Sequence, residues 1–276
     1  MTEVLRHNSY GKQHIRLTKV MRHAERHELM ELSADIQLEG DFAAAYTEGD
    51  NAKIIATDSM KNTVYVLAKE NKFENIETFA TLLARHFKKT YRQVRIATID
   101  IAQILWQRID PHAFVGGSTE RRTCSAKLGE QLDQLDLSGG IAGLQVLKTA
   151  DSAFANFVKD RYRTLPDTSD RIFATSVEAD WKYSGEADYD KAYAAIRTSL
   201  LQTFAGHHSL SVQQTLMQMG QAALDACSSI RWISLTMPNQ HRIGFNLEPF
   251  GLKNENDIFV PVDEPYGLIT GVVERK

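Results

Sequence analysis

An α+β fold built from two similar halves is what this sequence predicts. Three observations carry that prediction: strict apolar alternation in the first forty residues, helical spacing of apolar residues in three later segments, and one order of elements repeated in each half. His14 to Met21 alternates, and Met30, Leu32, Ala34, Ile36 and Leu38 recur every second residue with Glu31, Ser33, Asp35, Gln37 and Glu39 between them. Such a series marks a half-buried antiparallel hairpin. The stretch IIATDSMKNTVYVLAKE at 54–70 then sets Thr57, Asp58 and Ser59 between two apolar runs, where small polar side chains are expected to cap a helix at a strand-to-helix junction. A helix start also offers free N–H donors and partial positive charge to an anion. Asn62 to Glu70 stays open between strand, favoured by Thr63, Val64 and Val66, and helix, favoured by the preceding cap and by Lys69 and Glu70.

Phe79, Leu82, Leu83, His86 and Phe87 fall on one face of a helix that follows the acidic Glu74 and Glu77 and ends near Lys88 and Lys89. Val94 to Trp106 is rich in β-formers, with Ala113 to Ala126 as its partner. In the second half, Ile141 to Thr149 and Arg171 to Tyr183 read as strands, the latter alternating Phe173, Thr175, Val177, Ala179, Trp181 and Tyr183. Helices follow from Tyr189 to Phe204, with Ala192, Tyr193, Ile196, Leu200 and Phe204 on one side, and from Ser211 to about Cys227. Ile230 to Thr236 and His241 to Leu247 read as closing strands. Each half is thus strand, strand, helix, helix, strand, strand, two ββααββ-type units of antiparallel sheet and helices. The boundary in Asp136 to Gly140 (DLSGG) gives domains 1–137 and 138–276. The repeat is one of pattern, since residue identity between the halves is negligible. A sheet edge left open in such units invites pairing with other copies.

The bulk properties narrow the function. A length of 276 residues suits two domains, and 43% apolar content supplies their cores. A net charge of −3 with no long Lys/Arg block provides no footprint for nucleic acid, so no nucleic-acid partner is expected. Neither a membrane-length apolar run nor the apolar core of a signal peptide is visible, and a soluble intracellular protein with no membrane partner is expected. Cys124 and Cys227 are far apart and read as ordinary reduced thiols. Gly-rich phosphate loops, GxGxxG, HExxH and GxSxG are all absent. His23 and His27 have i, i+4 spacing, but RHAERHELME reads as a charged turn, where that spacing does not converge on a metal. Gly116 and Gly117 read as a flexible loop. No metal and no cofactor is expected.

Five further segments carry a resemblance: NSYGK at 8–12, ATDSMKNT at 56–63, SAFANFVKDRYRTLPDTSDRIF at 152–173, SVQQT at 211–215 and MPNQH at 237–241. Together, in this order and at these separations, they resemble the urate oxidase (uricase) family over essentially the full length. The resemblance implies tandem tunnelling-fold domains assembling as a homotetramer into a β-barrel oligomer. It also implies oxidation of urate by O₂ and water to 5-hydroxyisourate and hydrogen peroxide without a cofactor. By the same resemblance the run after Thr57 becomes helical.

The resemblance assigns roles residue by residue, and the chemistry of each side chain can be asked whether it fits. Phe154 matches the family's stacking aromatic, and a ring face suits a planar heterocycle; read alone it is a core residue. Arg171 matches the substrate-gripping arginine, whose fork can hold an anionic carbonyl edge; read alone it is a strand-start salt bridge. Gln213 matches the opposing amide, which both donates and accepts. Ser211 and Gln214 form an S-x-x-Q capping box, so Val212 and Gln213 lie in a first helical turn, where the Val212 N–H is free for a ligand. Lys12, Thr57 and His241 resemble the proton-relay group: a lysine whose pKa is lowered by burial takes a proton, a hydroxyl passes it on, and an imidazole orients the lysine. Asn239 resembles the residue that, with Thr57, holds oxygen or water above the ring, and Asp58 the one whose backbone N–H meets the substrate. Read alone, Asn239 is a turn residue and His241 a strand-edge histidine. In the family, Thr57 and Asp58 reach the pocket from a neighbouring subunit. The ending VVERK lacks a peroxisomal Ser-Lys-Leu-type signal, which implies a bacterial, cytoplasmic enzyme. The rivals are a pterin enzyme of the same fold, which commonly anchors its heterocycle with glutamate, and a purine- or pterin-binding protein lacking oxidase activity.

Overall fold

The computed structural model describes residues 4–131 and 135–276. Contacts between Cα atoms divide the chain into two units that meet in sequence at Gly140 and Ile141. In the first, β1 (Tyr10–Arg22) and β2 (His27–Gly40) form the expected hairpin, antiparallel from Tyr10 opposite Leu38 to Arg22 opposite His27. Met30, Leu32, Ala34, Ile36 and Leu38 are all buried, so the period-two series does mark the core face. His23 accordingly lies in the turn, its N–H donating to the Arg26 carbonyl at 3.2 Å. A short α1 (Ala43–Thr47) precedes α2 (Thr57–Glu70) and α3 (Ile76–Thr90), and β3 (Val94–Ile104) returns beside β2. The expected partner at 113–126 is two strands: β5 (Ala113–Val115) pairs with β4 (Gln107–Asp110), and β6 (Arg121–Leu128) pairs with β3. Gly117, at φ 143° in a conformation that disfavours side chains, separates them.

Two helix starts differ from expectation. Thr57, Asp58 and Ser59 do not cap α2: the cap position is Ala56, with no side-chain hydrogen bond, and Thr57 is already helical. The Asp58 carboxylate instead turns along the helix to Lys61 and Asn62. The first intrahelical bond is Met60 N–H to the Ala56 carbonyl, so the N–H groups of Thr57, Asp58 and Ser59 have no acceptor within the helix. The cap of α3 is Asn75, which accepts from Thr78 N–H at 3.0 Å. Glu77, read as part of an acidic helix start, is fully buried and accepts from Arg122 Nη2 at 2.9 Å. Near that pair, burial pushes the Cys124 thiol well above its ordinary pKa.

Leading into the second unit, β7 (Leu135–Lys148) takes in the whole DLSGG stretch, which is therefore strand, and the chain passes from one unit to the other within it. There follow β8 (Phe173–Tyr183), α4 (Tyr189–Gly206), α5 (Val212–Ala226), β9 (Ile230–Gly244) and β10 (Phe259–Glu274). β8 and β10 both run antiparallel to β9, against which α5 packs. Phe173, Trp181, Ile196, Leu200, Ile233, Leu235 and Met237 are at most 1% exposed and form the core. The two closing strands expected at 230–236 and 241–247 merge into the single strand β9, which ends at Gly244 and leaves 245–247 outside it, and the true last strand is β10. Pro238 does not break β9 because paired positions with β8 jump from Thr236 to Gln240, leaving the proline where no ladder bond is required of it. Asn239, read alone as a turn residue, is consequently in a strand. The α+β class holds in both units. Among the described residues no helix is long and apolar enough to cross a membrane.

Candidate active site

The predicted site residues fall into two groups, one in each unit. In the first, Lys12 faces Ile36 across the hairpin, and the register resumes only at Ile15 opposite Ala34. Gln13 and His14 therefore oppose Asp35 alone, a β-bulge of the kind that re-aims neighbouring side chains. His14 takes the left-handed φ of 56°, and its N–H donates to Asp35 Oδ1 at 2.5 Å. Lys12 is half-buried, whereas Thr57 and Asp58, at the opening of α2, are exposed. The hydrogen bond from Lys61 holds the Asp58 carboxyl below its ordinary pKa, and its charge, the Asn62 bond and the nearby Lys12 ammonium act in the same direction. A donor-rich helix start thus adjoins a lysine, which as the neutral amine can take a proton, and a hydroxyl that can pass it on.

In the second unit, the chain between β7 and β8 folds back on itself and onto the approach to α5. Phe154 N–H donates to the Thr168 carbonyl at 2.8 Å and Thr168 N–H to the Phe154 carbonyl at 2.9 Å. Ala153 N–H donates to the Ser209 carbonyl at 2.7 Å, and Ser209 N–H to that of Asp151 at 2.9 Å. These bonds bring Phe154 alongside the segment that leads into α5. The Arg171 guanidinium lies 5.2 Å from the centroid of the Phe154 ring. Burial lowers the Arg171 pKa, yet a guanidinium stays charged at neutral pH, and its buried Nε has no hydrogen-bond partner. Phe157 stacks on Phe154 with centroids 4.7 Å apart, and Arg163 lies over Phe157.

The Ser211 half of the S-x-x-Q cap of α5 forms as the pattern leads one to expect, while the Gln214 half reaches one residue further back. Ser211 Oγ accepts from Gln214 N–H at 3.1 Å, and Gln214 Oε1 accepts from Leu210 N–H at 2.9 Å, one residue before the cap. Since the first intrahelical bond runs from Thr215 to Ser211, the N–H groups of Val212 and Gln213 have no acceptor within the helix. Val212 is buried and the Gln213 side chain is exposed. On β9, Asn239 faces Gly267 and His241 faces Val262, so residues 263–266 of β10 bulge opposite Gln240 alone. Gln240 also pairs with Ala174, three residues after Arg171. Asn239 and His241, both half-buried, thus flank the start of the strand that follows Arg171. A flat ring, a cationic fork with an unused donor, an amide and a helix start together suit a planar anion rimmed with acceptors. Among the described residues, no three His, Cys, Asp or Glu side chains are grouped to hold a metal.

A family model described as uricase matches residues 8–127 and 137–270. The chain belongs to the uricase family. The uricase of Arthrobacter globiformis is 42% identical over 276 residues, covering 99% of this chain and 90% of that protein. Uricase-2 isozyme 2 of Glycine max is 38% identical over 96% of this chain and 94% of its own length. The crystal structure of the Arthrobacter globiformis uricase superposes with a TM-score of 0.96 at 41% identity, covering all of this chain and 96% of that one. Urate oxidase from Bacillus sp. TB-90, at 23% identity, shares the fold with a TM-score of 0.84, covering 97% of this chain and 100% of that one. Within this uricase-family chain, sequence reasoning missed the supports of the predicted residues. The bulge after Lys12, the Phe154–Thr168 bridge and the buried hydroxyls of Ser152, Ser209 and Thr215 under the α5 approach have no local sequence signature. Tyr10 could have been noticed, since it lies inside the NSYGK motif and hydrogen-bonds the backbone of Ile55.

Proposed function

We infer that this uricase-family chain oxidises urate. Urate, O₂ and water become 5-hydroxyisourate and hydrogen peroxide, with no metal or organic cofactor, and the alternative of a pterin- or purine-binding protein without oxidase activity is not favoured. Urate supplies the two electrons that reduce O₂, water supplies the new hydroxyl oxygen, and a base must accept protons along the way. The observation that best supports the substrate-binding part is Arg171 lying over Phe154 with a buried, unpartnered N–H, beside a helix start. In this reading Phe154 stacks on the purine, Arg171 and Gln213 hold opposite edges, and the backbone N–H groups of Val212 and Asp58 meet further acceptors. Lys12 takes the proton, Thr57 relays it, His241 orients Lys12, and Asn239 with Thr57 holds O₂ or water above the ring.

Thr57 and Asp58 reach the pocket from a neighbouring subunit of a homotetramer in this reading. Lys12, which shares their unit and adds to the field at Asp58, travels with them. Each site is then composite. A cytoplasmic location belongs to the same reading, and fractionation of cells expressing the chain tests it. The decisive assay mixes chelator-treated protein with urate in air and follows urate's ultraviolet band together with O₂ uptake. The band and the dissolved O₂ should both fall, with urate and O₂ consumed in equal amounts; if neither changes, the reading is wrong, and if activity needs added metal, its cofactor-free part is wrong.

A further inference from the structure

We propose that Tyr10 is a positioning residue for the proton-handling pair, holding the opening of α2, and with it the Thr57 hydroxyl, in place against Lys12. The proposal rests on the roles given above to Lys12 and Thr57. Tyr10 and Lys12 are two residues apart on β1 and so point to the same side of the strand. Gly11 between them lies so close to β2 that a Cβ would sit 1.7 Å from the Ile36 carbonyl oxygen, which leaves this part of β1 no room to shift toward β2. The Tyr10 hydroxyl accepts from Ile55 N–H at 2.8 Å and donates to the Ile55 carbonyl at 3.3 Å. One side chain thus engages both backbone groups of a residue two positions before Thr57. The ring is set edge-on against the buried Phe42, with centroids 4.8 Å apart at 89°. Burial, the first cause, together with Tyr46 and Tyr91, holds the phenol above its ordinary pKa, so it remains a donor at neutral pH.

Nothing in α2 itself does this work, because its cap position is Ala56 and carries no side-chain hydrogen bond. Among the described residues, two other side chains tie α2 to β1 by hydrogen bonds, both farther along. Tyr65 Oη donates to the Arg16 carbonyl at 3.1 Å, and Lys19 Nζ donates to the carbonyls of Ala68 and Asn71 at 2.6 and 2.8 Å. Of the three ties, only the Tyr10 tie lies at the end that carries Thr57 and adjoins Lys12. Small misplacements of reacting groups are costly: about 1 Å can lower a rate by about 100-fold.

Tyr10→Phe keeps the ring against Phe42 and removes only the hydroxyl, and Tyr65→Phe removes the distant tie as a control. Both variants, with Thr57→Ala, Lys12→Met and the Tyr10→Phe/Thr57→Ala double variant, are assayed well below their melting temperatures. Tyr10→Phe should lower kcat about tenfold with KM changed less than about twofold, whereas Tyr65→Phe should lower the melting temperature and leave kcat unchanged. If Tyr10 acts through Thr57, the double variant should be no more than about twofold slower than Thr57→Ala alone. An unchanged kcat in Tyr10→Phe, an equal loss in Tyr65→Phe, or losses that multiply in the double variant would each overturn the proposal. Wild-type turnover in both Thr57→Ala and Lys12→Met would instead remove the reading of that pair, and the positioning role with it.

Discussion

Lys12 and Arg171 divide the reaction between proton and substrate, and their surroundings suit that division. Lys12 adjoins a bulge and lies near a carboxylate that is ionised through its bond with Lys61. Arg171 is desolvated and keeps one donor unused, and a buried unpaired donor costs about 1–3 kcal/mol until an acceptor arrives. That cost favours binding of an anion with carbonyl edges over binding of an apolar ring. Lys12→Met should therefore leave urate affinity nearly intact, because the clamp of Phe154, Arg171 and Gln213 is untouched. It should slow oxidation by about 10²–10⁴-fold, the range associated with loss of a general base. Equilibrium binding of urate under anaerobic conditions, set beside steady-state O₂ uptake, checks both halves; unchanged turnover would remove Lys12 from the relay.

Helix starts decide how well the chemistry is framed, and α5 and α2 solve the problem differently. Ser211 and Gln214 fasten α5 by side chains close in sequence, so the cap was legible from S-x-x-Q alone. The cap of α2 was misread because Thr57, Asp58 and Ser59 have the right composition but lie one position too late, inside the first turn. The last strand was missed for a related reason. FVPVDEPYGLITGVVE carries two prolines and two glycines that interrupt its alternation, while the bulge at 263–266 takes up the irregularity. The hairpin, α3 and α4 were legible because one apolar face repeats without interruption. The closeness of Phe154 and Arg171 was not, since it depends on backbone bonds closed across the loop between them. Ser211→Ala should cost about 1 kcal/mol, lowering the melting temperature by about 2–4 °C, and should raise KM for urate more than it lowers kcat. Asn75→Ala removes the same kind of cap from α3 and should show the melting shift without the KM effect, as parallel thermal and kinetic measurements would reveal. A KM rise of equal size in both variants would dissociate the α5 start from substrate binding.

For the whole molecule, the grouping of Lys12, Thr57 and Asp58 in one unit and the substrate clamp in the other makes assembly a condition of activity in the composite-site reading. Dilution below the dissociation constant of the tetramer, or a charged substitution at the subunit interface, should abolish turnover in step with the loss of tetramer, followed by sedimentation and O₂ uptake on the same samples. A fully active monomer would contradict it. The buried thiols carry a consequence of another kind, because an enzyme that releases peroxide works in its own oxidant. Cys124 and Cys227 are 5% and 6% exposed, and the raised pKa of Cys124 keeps it out of the thiolate form that peroxide attacks. Met217, at 43% exposed, is far more open than Met30, Met60, Met219 or Met237. After prolonged turnover without catalase, peptide mass spectrometry should find sulfoxide at Met217 well before any oxygen on either cysteine. The chain would then age at a replaceable surface methionine, and Met217→Leu should lengthen its working life.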